Sequence, residues 1–173
     1  LLKTEFDPLY DSAQTDLHRT DYEYDSDGFL TKVVQSADVT SGTRPEISYT
    51  NNAQGQVTSM TDPESRVTSY TYDDLGRKTK TTYPDTSTEQ TLYGTGTSAG
   101  RVIKTKDRVD VVTSYAYDSA GRLEKTTVGA AIDADILDGN PDDTTITNVN
   151  LQQITEYTYL DGSKTFRHRP RCN

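Results

Sequence analysis

The chain has 173 residues and a formal net charge of -9, with a single Cys, a single Met and no Trp. An acidic balance excludes non-specific binding to nucleic acid, which needs a basic face. One Cys excludes an internal disulfide framework or a Cys-rich zinc site, and no apolar run is long enough to span a membrane as a helix.

Leu, Ile, Val and Phe together number 31, just under a fifth of the residues, a content that by itself points toward disorder. The 12 Tyr and 29 Thr reverse that reading, because both residue types suit a pleated, half-buried surface. Internal repetition then organises the chain. Thr20-Asp21-Tyr22-Glu23-Tyr24-Asp25 recurs as Thr68-Ser69-Tyr70-Thr71-Tyr72-Asp73 and as Thr113-Ser114-Tyr115-Ala116-Tyr117-Asp118. A weaker copy is Thr155-Glu156-Tyr157-Thr158-Tyr159, and degenerate ones lie at Ser48-Tyr49-Thr50-Asn51-Asn52 and around Leu92-Tyr93-Gly94. Thr-x-Tyr-x-Tyr alternates with period two, so Thr and both Tyr share one face of a strand.

A turn follows the strong copies: Asp25-Ser26-Asp27-Gly28, Asn52-Ala53-Gln54-Gly55, Asp73-Asp74-Leu75-Gly76 and Asp118-Ser119-Ala120-Gly121. The first side chain can bond the turn backbone, and the Gly accepts the positive φ that follows a type I turn. This is the chemistry of a hairpin closed with a bulge. The structural turn residues are therefore Asp25, Gly28, Asn52, Gly55, Asp73, Gly76, Asp118 and Gly121. Counting Gly100 as well, successive glycines stand 27, 21, 24 and 21 residues apart. The return strands carry Leu30, Val57, Val102 or Leu123 at a matching position, with Lys78 the exception. Second turns are expected at Asp62-Pro63-Glu64-Ser65, Pro84-Asp85-Thr86-Ser87 and Asp107-Arg108-Val109-Asp110. The unit is strand, tight turn, strand, turn. One such hairpin is at best marginal alone, so neighbours must stack with Tyr and Thr ladders running across strands. The expected fold is all-β: tandem antiparallel hairpins in a continuous, curved or spiralling sheet, one array over residues 1–173.

Clear repeats cover about 20–128. A short insertion, Gln35 to Pro45, reads as plain loop. A longer one, Gly129 to Asn150, holds Asp133, Asp135, Asp138, Asp142 and Asp143. Carboxylates so dense can ligate calcium, but the spacing is not that of an EF-hand, and a solvated acidic loop is the favoured reading. A last degenerate repeat occupies about 151–165, and a basic tail ends the chain. His18 and His168 lie at opposite ends. His168 and Cys172 are close in sequence but fit a frayed terminus better than a nucleophile and base. No catalytic residue, cofactor or metal ligand is therefore assigned. The chain contains no Asn-x-Ser/Thr sequon.

Tyr117-Asp118-Ser119-Ala120-Gly121-Arg122-Leu123 resembles the YD repeat of Rhs proteins, found also in the BC shell of Tc toxins and in teneurins. Tyr72-Asp73-Asp74-Leu75-Gly76-Arg77 matches equally well, and Tyr24-Asp25-Ser26-Asp27-Gly28 nearly so. The resemblance implies a secreted or cell-surface protein whose repeats form a hollow shell around a toxic polypeptide, or part of an adhesion ectodomain. About a dozen strands supply a face of roughly 1,700 Å². A shell around a 100-residue cargo needs about 5,000 Å², so this chain supplies only an arc. Further YD repeats, or copies of the chain itself, are the expected partners. A chain without an initiator Met reads as a piece of a longer or processed protein. Two alternatives stand beside the shell. An open strip has edge strands that can pair with the next copy and grow a fibre. The ladder Tyr22, Tyr24, Tyr70, Tyr72, Tyr115, Tyr117, Tyr157 and Tyr159 can serve as an aromatic platform for glycans, although cross-strand packing is the commoner role of such rings.

Overall fold

The computed structural model describes residues 1–6, 19–37, 42–130, 136–137, 153–160 and 163–170. Among them thirteen strands are hydrogen-bonded in chain order: β1 (Leu2–Phe6), β2 (Arg19–Tyr24), β3 (Leu30–Val34), β4 (Glu46–Asn51), β5 (Val57–Thr61), β6 (Val67–Tyr72), β7 (Lys78–Thr82), β8 (Thr88–Tyr93), β9 (Val102–Lys106), β10 (Val111–Tyr117), β11 (Leu123–Ala130), β12 (Gln153–Leu160) and β13 (Ser163–Pro170). The described residues are all-β and antiparallel, with a 3-10 turn at Gly96–Ser98. Contacts divide the chain into two compact units, Leu1–Tyr70 and Thr71–Asn173.

The expected hairpins form where the alternation and turns place them. In the first unit β2 pairs with β3 and β4 with β5; in the second β10 pairs with β11. The matching apolar positions meet the second aromatic of each motif: Tyr24 faces Leu30, Tyr93 faces Val102 and Tyr117 faces Leu123, while Asn51 faces Val57. Immediately after each of these pairs the register shifts by one. The extra residues, Thr31, Thr58, Ile103 and Glu124, all stand three positions after the turn Gly. A bulge kinks its strand locally and re-aims side chains. Thr31 and Thr58 fill this place with hydroxyls that donate across the bulge to the Glu23 and Thr50 carbonyls, at 3.2 and 3.1 Å.

Burial is partial almost everywhere. Among the described residues only Ala37, Val112 and Ile136 are apolar and buried, beside the polar Asp21, Thr68, Thr81, Gln90, Lys104 and Lys106. Strand-to-strand bonding and side-chain ladders, more than a thick apolar core, define each unit.

Candidate functional site: repeated turn and tyrosine clamps

The turns are built alike. In the first, the Asp25 N–H donates to the Phe29 carbonyl at 3.0 Å and the Gly28 N–H to the Asp25 carbonyl at 3.3 Å. One carboxylate oxygen, Asp25 Oδ1, accepts the N–H groups of Asp27 and Phe29 at 3.0 and 2.8 Å. Asn52, Asp73 and Asp118 each accept the corresponding pair of amides. Gly28, Gly55, Gly76 and Gly121 have φ between 77° and 87°, the left-handed region closed to most side chains.

The Arg of Asp-x-x-Gly-Arg completes the clamp. Arg77 Nε donates to Asp73 Oδ2 and Arg122 Nε to Asp118 Oδ2, both at 2.7 Å. The carboxylate thus divides its work: Oδ1 holds two amides and Oδ2 holds a guanidinium. Hydrogen bonding from Arg77 keeps the Asp73 carboxyl below its ordinary pKa. The Arg122 amide does the same, with its side chain, for Asp118. Where the pair is Asn52 and Gln56, an amide bond replaces the charge, Asn52 Nδ2 donating to Gln56 Oε1 at 2.9 Å.

Two turns of the opposite row use the same chemistry, which the missing glycines conceal in the sequence. Asp62 Oδ1 accepts the Glu64 and Arg66 amides at 3.0 and 2.9 Å, and Asp107 Oδ1 accepts those of Val109 and Val111. Ser65, Thr86 and Asp110 stand where Gly would, at φ 63°, 68° and 60°. The middle turn starts one residue earlier than expected: the Thr86 N–H donates to the Tyr83 carbonyl at 2.9 Å. That register puts Pro84 second in the turn, where its fixed φ belongs.

A third element joins one hairpin to the next. The Tyr93 hydroxyl donates to the Lys78 carbonyl at 3.4 Å, and the Tyr117 hydroxyl to the Val102 carbonyl at 2.8 Å. Each acceptor lies two residues after the turn Gly of the preceding hairpin. In the degenerate copy, Asn51 Nδ2 donates to the equivalent Leu30 carbonyl at 2.8 Å. Asn therefore reproduces the bond that the Tyr makes elsewhere. The residue just after the Gly covers the join. The Arg77 guanidinium lies 4.0 Å from the Tyr93 ring centre and that of Arg101 5.6 Å from Tyr117. A Cβ on Gly55 would collide with the Phe29 ring, and one on Gly121 with Arg101. On the opposite row Arg108 lies 3.9 Å over Tyr83 and donates to Asp85 and Ser87.

The other ladder tyrosines are half-buried: Tyr22, Tyr24, Tyr70, Tyr72, Tyr115 and Tyr157. Tyr22 also donates to Glu5 at 3.3 Å. The side chain of Tyr159 lies outside the described residues, as do His18, Cys172 and the calcium candidates Asp133, Asp135, Asp138, Asp142 and Asp143.

Sequence reasoning misses two buried anchors. Arg44, from the stretch read as plain loop, donates to Asp21 Oδ2 at 2.8 Å and to the Arg19, Val34 and Gln35 carbonyls. Asp21 also accepts from Thr4 at 2.6 Å and from Arg19 at 3.0 Å. Burial pushes the Asp21 carboxyl up, but the bonds from Thr4, Arg44 and Arg19 leave it below its ordinary pKa. In the second unit, the Ile136 N–H donates to Gln90 Oε1 at 2.9 Å, both residues being buried. A lone Asp in a strand and an Ile within an acidic stretch carry no local sign of such roles.

The RHS Repeat family model matches residues 52–88 and 97–131. Those two segments carry RHS repeats. Their turn Gly and clamping Asp, Asn and Arg side chains are those described above. The fold is similar to the crystal structure of TcdB2-TccC3-TEV, with a TM-score of 0.56 at 17% identity, covering 92% of this chain and 8% of that one. It is similar also to TcdB2-TccC3, with a TM-score of 0.54 at 17% identity over 90% of this chain and 8% of that one. The Photorhabdus luminescens Tc holotoxin pore with the TccC3-D651A mutation gives 0.53 at 17% identity, over 89% and 8%. The chain thus spans about a twelfth of the solved chains it resembles. No curated protein matches the sequence.

Proposed function

We propose that this RHS-repeat array, running through residues 1–173, is a non-catalytic wall segment of a secreted Rhs- or Tc-like β-shell that encloses a toxic polypeptide. The observation that carries this reading is the recurring link from Asn51, Tyr93 or Tyr117 to a carbonyl of the preceding hairpin. It makes each hairpin the template for the next, so a wall extends by repetition without a separate core. The likeness in fold to TcdB2-TccC3 supports the same reading.

Its partners are further repeats of the same polypeptide, or copies of the chain, added at strand edges. β1 offers such an edge, with Leu1, Leu2 and Phe6 exposed. The glycan platform draws less support, because Arg101 lies over the Tyr117 ring where a sugar would stack. No described helix is long and apolar enough to cross a membrane.

Electron microscopy of the intact native particle, combined with limited proteolysis, tests the proposal. A closed hollow body holding a protease-resistant polypeptide is expected. A filament would replace the shell by a fibre, and a small monomer with no protected cargo would also overturn the enclosure.

A further inference from the structure

We propose that the cleft between Pro45 and the turn at Asp62–Ser65, in the first unit, is a binding site for a neutral saccharide. It is an open hollow of about 380 Å³, at the lower end of the range for small-molecule sites. Its floor is the cross-strand pair Ser48 and Thr61, from β4 and β5. Glu46 stands two residues before Ser48 and so on the same face, the one opposite Tyr49. Half-buried Pro45 and exposed Pro63 supply a ring on either side, and Ser65 lies at the rim.

Both walls are held in place before any ligand arrives. Arg44 is fixed by its bonds to Asp21 and to the Arg19, Val34 and Gln35 carbonyls, and the Pro45 carbonyl accepts the Gln35 N–H at 2.9 Å. On the other side Asp62 uses both carboxylate oxygens within its own turn, on the Glu64 and Arg66 amides and the Arg66 side chain. Such a preorganised cleft loses little ordering free energy on binding. The floor, by contrast, has unused bonding capacity. Among the described residues the Thr31, Thr58 and Ser59 hydroxyls are hydrogen-bonded within the sheet, whereas those of Ser48, Thr61 and Ser65 have no protein partner. Each can both donate and accept. Glu46 pairs with Lys32 through Oε2 at 3.4 Å, and its side chain is 54% exposed, so the other oxygen remains to accept. The lining matches a ligand rich in hydroxyls with an apolar C–H face for the prolines. An anion fits worse, because Arg44, Lys32 and Arg66 each already face a carboxylate. A nucleobase finds no aromatic ring to stack on. The inference does not depend on whether the array closes into a shell.

Nuclear magnetic resonance titration of the native full chain tests the site, with the methyl glycosides of glucose, galactose, mannose and N-acetylglucosamine and with a linear tetramer of each sugar. At least one is expected to shift the amides of Glu46, Ser48, Thr61 and Ser65 as a group, with a dissociation constant of about 1–10 mM or tighter. A tetramer that binds at least about tenfold tighter than its glycoside marks a polymeric glycan as the source, and equal affinity marks a free sugar. Glu46→Gln, and separately the Ser48→Ala/Thr61→Ala double variant, should each weaken binding about tenfold, with the far-ultraviolet β signal unchanged. The proposal is overturned by the absence of any shift up to about 100 mM sugar, by shifts confined to the tyrosine face, or by undiminished binding in both variants.

Discussion

The two buried patches opposite the tyrosines solve one problem in different ways. In the first unit Asp21 is buried by charge: a carboxylate accepts from Thr4, Arg19 and Arg44. In the second unit Gln90 and Val112 are buried beside Ile136, with a neutral amide accepting one backbone N–H. The difference teaches that this sheet tolerates a polar residue at a covered position when an inserted stretch supplies one of its bonds. The charged version should be the more fragile to mutation and to acid, because a broken ion pair leaves uncompensated charge behind.

The largest expected effect is therefore Asp21→Ala. Removing the carboxylate leaves Arg19 and Arg44 facing each other and should cost about 3–5 kcal/mol in the first unit. Denaturant unfolding, with hydrogen exchange in β2 and β3, would measure it; a loss below about 1 kcal/mol would break the comparison. Acid should act in the same direction. The folded Asp21 pKa is depressed, so its stabilisation is complete above the unfolded carboxyl range and is lost as pH falls through the folded value. Hydrogen exchange in β2 should accelerate below about pH 4, and Asp21→Asn should remove that component of the acid response.

Ile136→Ala comes next, at about 2–4 kcal/mol for a buried apolar truncation. Its effect should concentrate in β8–β10 and show little dependence on pH between 3 and 5, in contrast to Asp21. A smaller loss, about 1 kcal/mol, is expected for Tyr117→Phe, which deletes only the hydroxyl bond to the Val102 carbonyl. Faster exchange in the β9–β10 pair would report it.

The smallest effect has the opposite sign. Thr86 is a β-branched residue at positive φ, so Thr86→Gly should stabilise by up to about 1 kcal/mol, read as a higher unfolding midpoint. Asp110→Gly relieves the same strain but loses the partner of the buried Lys106, and should destabilise. If both glycine variants stabilise, Lys106 does not need that carboxylate.

Hairpins and turns are legible in this sequence because their causes are local. Thr-x-Tyr-x-Tyr alternates with the strand period, and Asp or Asn three places before Gly reaches its own turn backbone. That local chemistry predicts the all-β antiparallel order and the RHS-type repeat. The second row of turns is half legible: Asp62 and Asp107 show themselves, while Ser65, Thr86 and Asp110 take a conformation that composition does not announce. The Tyr-Asp motif predicts a turn but not the hydroxyl bond, because its acceptor is a carbonyl of the previous hairpin, fifteen residues back for Tyr117.

By itself, then, the sequence determined which segments pair with their neighbours and where most of the turns close. Only the tertiary structure decided which carbonyl each Tyr reaches and which residues the insertions bury. Asp21 meets Arg44 across 23 residues and Gln90 meets Ile136 across 46. Separations of that length obey no local period, and depend on how a loop returns to a sheet that is already formed.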